Sequence, residues 1–384
     1  MKLRWLLLAT LALFVSATLT TFAEESFAPN EHMGADEAKV NIYVSKLGDD
    51  SDGKSWQTAY KSVQKALLSI PDDKGGYRIV VRPDTYMEAN LYPSHKGAKD
   101  AYNELVGDFD GKYGSGAVGW VVLDSSDPEK GYQSYDWYSS IRAYTQGWTT
   151  SHTDETFSSL GWDRWIVRRL YVTGSDAGLF WDCLDDTGPF TVVVEDCISI
   201  GRAFGIGVAF AADDPANPHA RPDEPTVFRR TWAASLDTWG DAGAAFLRAF
   251  NSTLPEYPDF YLEDCTLVSP DNAIENNCDA YPACTYVSLK NCRLIVNNFS
   301  QPGGTPCTGI IRSANGGEKY KVAFEDCSLM GCKVFSEEAD VPIQYELKGH
   351  NKVYLQYKQT IPEGFEGFSG WPIDLFHFMA PPLE

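Results

Sequence analysis

Residues 192–197 read Val-Val-Val-Glu-Asp-Cys, residues 260–265 Phe-Tyr-Leu-Glu-Asp-Cys, residues 287–292 Val-Ser-Leu-Lys-Asn-Cys and residues 322–327 Val-Ala-Phe-Glu-Asp-Cys. One β-type phrase recurring every few tens of residues is the mark of a solenoid. Two degenerate copies complete the series, Trp-Ile-Val-Arg-Arg-Leu at 165–170 and Thr-Val-Phe-Arg-Arg-Thr at 226–231. Their last residues are Leu170, Cys197, Thr231, Cys265, Cys292 and Cys327, spaced by 27, 34, 34, 27 and 35. A bare β-coil needs roughly 20–25 residues, so the surplus is expected to form loops. Within the copy ending at Cys265, apolar residues fall at Phe260, Leu262, Cys265 and Leu267. Period-two alternation indicates a strand with one buried face. The extra residue before the cysteine marks a corner. Asp196, Asp264, Asn291 and Asp326 occupy it, and these residue types tolerate left-handed backbone. The repeating unit is therefore strand, sharp bend, strand, with equivalent positions stacked coil upon coil.

With this pattern the chain resembles secreted right-handed parallel β-helix proteins of the pectate lyase superfamily. Residues 40–53 (Val-Asn-Ile-Tyr-Val-Ser-Lys-Leu-Gly-Asp-Asp-Ser-Asp-Gly), the segment 55–70 and residues 79–88 (Ile-Val-Val-Arg-Pro-Asp-Thr-Tyr-Met-Glu) are similar to that family's opening strand, turn, capping helix and first coil. The helix is also expected on its own terms, because Tyr60, Val63, Leu67 and Ile70 fall on one face. The resemblance spans residues 40–357 and implies an all-β fold, a right-handed parallel β-helix with an N-terminal capping helix and long lateral loops. It is specific for fold and poor for activity, since this architecture hosts lyases, hydrolases, isomerases and inert binding modules.

Residues 1–23 combine Lys2 and Arg4, an apolar run and small polar residues ending in Thr-Phe-Ala. They read as a secretory signal peptide, too short in its apolar core for a membrane span. A linker over 24–39 and one β-helix domain over 40–384 follow. Within that domain, 40–90 forms the N-terminal cap and first coil, 165–335 the clearest repeats and 340–384 a C-terminal cap. The protein is expected to be exported, extracellular or periplasmic, and monomeric. Without Lys2 and Arg4, 30 basic residues face 53 acidic ones, a net of −23. That field argues against nucleic acid and anionic membrane surfaces, and disfavours a polyanionic glycan unless calcium or a local basic groove intervenes.

The nine cysteines suggest a disulfide framework in an exported chain. The repeat argues otherwise for Cys197, Cys265, Cys292 and Cys327, which hold one inward slot and are expected as free buried thiols. Cys278 with Cys284, or Cys327 with Cys332, are pairs close enough in sequence for small disulfides. No histidine sits at zinc-ligand spacing beside a cysteine pair, and no metal site is assigned. The turn 48–53 (Gly-Asp-Asp-Ser-Asp-Gly) has the oxygen-rich look of a calcium site but lacks the distal bidentate glutamate. Calcium is the one cofactor this turn suggests.

The partner expected is a polysaccharide or oligosaccharide. The excursion 131–164 carries Trp137 and Trp148 among seven tyrosines and tryptophans; such rings either stack on sugars or pin the insertion to the outer wall. A second strand set, at 178–182, 205–209, 245–249, 273–277 and 309–313, aligns Trp181, Val208, Arg248, Asn276 and Arg312 in one row, with Asp182 and Glu275 flanking. Arginines within apolar strands either reach a lateral groove or pair with carboxylates. Asp182, Arg248, Glu275 and Arg312 are the catalytic candidates. Trp137, Trp148, Asp186, Asp213, Trp239 and Asn276 are the substrate-binding candidates. A polysaccharide lyase, a glycoside hydrolase with two carboxylates roughly 5–9.5 Å apart, and a non-catalytic glycan-binding or structural module all remain open at this stage.

Overall fold

The computed structural model describes residues 40–126, 139–143, 159–183, 190–212, 221–236, 243–251, 253–277, 284–297, 309–314, 319–337, 342–356, 359–370 and 372–383. The candidates Trp137, Trp148, Asp186, Asp213 and Trp239 lie outside them.

Every copy of the phrase is a strand of one ten-stranded sheet, whose spatial order follows the chain from Val40–Val44 through Trp165–Arg168, Val192–Glu195, Thr226–Arg229, Phe260–Glu263, Cys284–Lys290 and Lys319–Glu325 to Gln344–Lys348. The pairings are parallel and in register, Thr226 opposite Phe260 and Phe260 opposite Val287. After the corner comes a second face, with Trp232–Ser235, Thr266–Ser269, Arg293–Val296, Ser328–Gly331 and Lys352–Leu355. A third face follows, with Gly243–Phe250, Asn272–Asn277 and Ile311–Ala314. The long strands Leu170–Cys183 and Ile198–Ala212 run round the second bend and join the second and third faces. The fold is the right-handed parallel β-helix.

The corner is left-handed in all six copies, with φ of 57° at Arg169, 53° at Asp196, 44° at Arg230, 54° at Asp264, 52° at Asn291 and 54° at Asp326. Two copies thus place an arginine in a conformation that costs a β-carbon-bearing residue about 1–2 kcal/mol. Arg230 recovers part of that by a two-bond contact from Nε and Nη2 to Asp196, the corner one coil earlier, at 2.6 and 3.1 Å. A further coil, invisible to the phrase, ends at Gly349 with φ 67°. Asn291 is exposed, so a substitution there acts through the backbone. Asn291→Val is expected to cost about 1–2 kcal/mol, and Asn291→Gly close to nothing, both read as shifts in a denaturant midpoint.

Inward residues fill one continuous core that includes Leu170, Val194, Cys197, Phe228, Leu262, Cys265, Leu289, Cys292 and Cys327. Cys197, Cys265, Cys292 and Cys327 are free and buried. The expected pair Cys327–Cys332 does not form: the stack packs Cys327 as an interior filler, whereas Cys332 is disulfide-bonded; Cys278 of the other pair lies outside the described residues. Burial pushes the Cys197 thiol up to about 12, and burial with two neighbouring thiols holds Cys292 well above the ordinary range. A thiolate is the reactive form. These four buried thiols are expected to resist alkylation of the native protein at pH 8 and to react fully once it is unfolded. Native-state labelling of any of them, read by peptide mass, contradicts the stack.

The helix Val63–Leu68 closes the N-terminal end, burying Val63, Ala66 and Leu67. Glu88 holds its start, accepting from the Val63 and Gln64 amides at 2.8 and 2.9 Å. At the other end Phe365 packs on Phe324 and Tyr345. The last residues then lie along the outside of the second face. Leu375, Phe376, Phe378 and Met379 pack against Ile198, Trp232, Val268, Ile295 and Met330. Trp232 Nε1 donates to the Phe378 carbonyl at 2.8 Å, and the Arg293 guanidinium lies 4.0 Å from the centre of the Phe378 ring.

Candidate functional site

The third face has a core side and an outer side. Leu179, Ile206, Ala245, Ile274 and Ile311 stack in one inward row. The next residue of each strand points outward, giving the row Phe180, Gly207, Phe246, Glu275, Arg312. Phe180, Phe204 and Phe246 form an aromatic cluster on this side, with centroids 4.9–5.9 Å apart. A β-carbon at Gly207 would run into the Phe180 ring, so the glycine makes room for it.

The aromatic stretch gives way to an ionic one. Arg312 Nη1 donates to Glu275 Oε1 at 3.1 Å, and Asn272 Nδ2 donates to Glu275 Oε2 at 3.1 Å. Glu275 and Asn272 are fully buried, and Arg312 is 9% exposed. Two arms from different coils thus fix both oxygens of one carboxylate. Arg248 stands two residues beyond Phe246 on the same side of its strand. It is buried and lies opposite Ala209, which itself lies opposite Asp182.

This register corrects the expected single row of Arg248, Asn276 and Arg312. The apolar interior selects Ile274 and Ile311, rather than Ala273 and Gly309, as partners of Ala245, and each choice slips the alignment by one residue. One slip turns a side chain to the other face; two restore it. Arg248 and Arg312 therefore share the outer side, while Asn276 faces the core, opposite Ser313. Asn272, which completes the clasp on Glu275, carried no signal in the sequence, because it precedes the strand as aligned there.

Two other ionic systems escaped sequence reasoning. On the outer side of the first face, Arg168, Glu195, Arg229, Glu263, Lys290, Glu325 and Lys348 occupy one row of alternating sign. Arg229 bridges Glu195 and Glu263 at 3.1 Å each, and Glu325 meets Lys348 at 3.0 Å. Where the chain enters the first face, Glu224 receives both arms of Arg164 at 3.1 and 2.8 Å and the Tyr102 hydroxyl at 3.1 Å. Beside it Arg221 holds Asp163 by two bonds at 2.7 and 2.9 Å.

Elsewhere the structure gives local roles to suspected sites. In the turn 48–53, Asp49 accepts from the Ser51 amide, Asp50 from the Lys61 amide and Asp52 from the Lys54 amide. Among the described residues, no group of three or more His, Cys, Asp or Glu side chains is arranged to hold a metal ion, and no helix is long and apolar enough to cross a membrane. Trp162, from the aromatic excursion, is a core residue packed edge-on against Trp165 and Trp181. Asn251, first residue of the glycosylation sequon Asn-Ser-Thr at 251–253, spends its amide nitrogen on Asp259 and the Cys284 carbonyl.

No protein-family model matches this sequence, and no curated protein does. Among solved structures, the chain is similar to the pectate lyase Pel9A, with a TM-score of 0.53 and 12% identity over 85% of this chain and 73% of that one. It also matches a pectin methylesterase from carrot (TM-score 0.41, 14% identity, 86% and 88% covered) and one from Aspergillus niger (0.34, 12%, 84% and 90%). At such identities the likeness is one of fold. The chain is a right-handed parallel β-helix protein of the architecture that pectate lyase Pel9A has.

Proposed function

We propose that this is an exported carbohydrate-active protein that takes an acidic polysaccharide along the outer side of its third face. The observation that carries the reading is the arrangement of Arg248 and Arg312 on the same outer side, two coils apart, with Glu275, clasped by Arg312 and Asn272, on the strand between theirs. A uronic carboxylate is a fitting partner for a guanidinium, which grips such groups through paired N–H donors. Arg248 and Glu275 are buried. The sugar is therefore placed against the edge that Arg312 presents, with the other two groups behind it. The similarity to a pectate lyase is consistent with a polymer of that class.

Lyase chemistry fits this face better than hydrolysis. β-Elimination from a uronide needs a cation against the sugar carboxylate, which makes the adjacent C–H acidic, and a base that takes that proton as the bond to the leaving glycosidic oxygen breaks and the double bond forms; the resemblance to the pectate lyase superfamily implies an arginine or lysine for the base. The arginines provide that charge, and bound calcium adds to it where the polymer brings the ion. Hydrolysis needs two carboxylates roughly 5–9.5 Å apart. Of the catalytic candidates, Asp182 and Glu275 are the carboxylates, and the register puts them three coils apart. At about 4.8 Å per coil that is ~14 Å along the stack, too far to flank one bond. A glycan panel tests the reading. Unsaturated uronide ends from an acidic polymer are expected; new reducing ends without unsaturation would point to hydrolysis. Retained affinity with no product would reduce the protein to a binding module.

A further inference from the structure

The inward row of the third face begins with Trp181, Val208 and Leu247 and continues into polar residues, Asn276 and then Ser313. Both are buried, 0% and 1% exposed. Neither the amide nitrogen nor the oxygen of the Asn276 side chain has a hydrogen-bond partner, and the same holds for the Ser313 hydroxyl. Yet the two residues stand directly opposite each other, about 4.8 Å apart at the backbone. Nearby polar groups are already engaged. Ser336 Oγ accepts from the Ser313 amide and donates to the Ser313 carbonyl, both at 3.1 Å. Thr285 Oγ1 accepts from the Ala249 amide and donates to its carbonyl, at 3.0 and 3.1 Å. The Tyr320 hydroxyl donates to the Leu247 carbonyl at 3.4 Å.

A buried amide without partners is costly, and native interiors relieve that cost with ordered water bound by two to four polar groups. Asn276 offers two donors and an acceptor, and Ser313 a hydroxyl that serves as either. This set of donors and acceptors matches water, which both gives and takes hydrogen bonds. We infer that Asn276 and Ser313 together hold an ordered water molecule inside the coil. They are the chain neighbours of Glu275 and Arg312, so the water ties together the backs of the two strands whose fronts carry the ion pair. The inference stands whether or not the outer side binds a sugar.

A crystal structure at near-atomic resolution tests it directly. The expected result is a water peak within hydrogen-bond reach of both the Asn276 side chain and Ser313 Oγ. A direct Asn276–Ser313 hydrogen bond with no peak between them, or Asn276 turned out of the interior, would overturn it. A solution arm uses Asn276→Ala, Ser313→Ala and the double variant. With one shared water, the double variant's melting temperature falls by no more than about the larger single shift, because the second substitution removes a partner already lost. Additive shifts in melting temperature would overturn the shared site.

Discussion

Glu224→Ala is expected to cost about 3–5 kcal/mol, the range found when one member of a buried ionic cluster is removed. Glu224 is 2% exposed and joins both arms of Arg164 to the Tyr102 hydroxyl. Its loss leaves the Arg164 guanidinium short of its counter-charge, in a place where water reaches it poorly. The same carboxylate holds the segment before Thr226–Arg229 against the strands of the preceding coils. The damage should therefore spread along the stack, since each coil is stabilised mainly by its neighbours. The neighbouring pair Lys99–Asp223, 2.7 Å apart but more than half exposed on both sides, serves as the control. Lys99→Ala is expected to cost at most about 1 kcal/mol. Equal urea midpoints for Glu224→Ala and Lys99→Ala would show that the cluster carries no special weight.

The second large effect is on activity. Removing Arg312 alone would take a buried counter-charge from Glu275, so the informative variant is the double replacement Glu275→Gln with Arg312→Gln, which takes away both charges and keeps polar side chains. A buried ion pair replaced as a unit is often nearly neutral in stability, and the variant is expected to fold with a midpoint close to the parent's. Its kcat/KM on an acidic polysaccharide is expected to fall by about 10²–10³, the scale for losing a preorganised electrostatic group. Arg248→Gln should lower kcat/KM as well. Full activity in the folded double variant would remove the third face from the chemistry.

The solenoid was legible because its corner has a rule. A short polar residue recurs where the strand must turn left-handed, and Asp196, Asp264, Asn291 and Asp326 obey it. Arg169 and Arg230 turn the same corner, so stacking against neighbouring coils overrides residue preference there. The last coil was missed because Gly349 replaces the Asp or Asn, and no cysteine follows it. Within the site, the sequence left Arg248 and Arg312 between a lateral groove and a pairing with carboxylates, and the row it suggested for them was out of register. Strands with period-two patterning fix a face readily, but a slip of one residue costs little when Ala273 and Ile274 are both apolar. Three-dimensional packing decided for Ile274, and with it the meeting of Glu275 and Arg312. The charge row of the first face stood in the repeated phrase itself, as Arg, Glu, Arg, Glu, Lys and Glu two places before the closing residue. Attention to the cysteines hid it.

The most direct test of the account is a crystal structure of the protein with a saturated uronic-acid oligomer. Sugar density is expected along the outer side of the third face, with a carboxylate within hydrogen-bond reach of the Arg312 guanidinium. An oligomer bound on the first face along the Arg168–Lys348 charge row, or a third face left free of sugar at saturating oligomer, would contradict it.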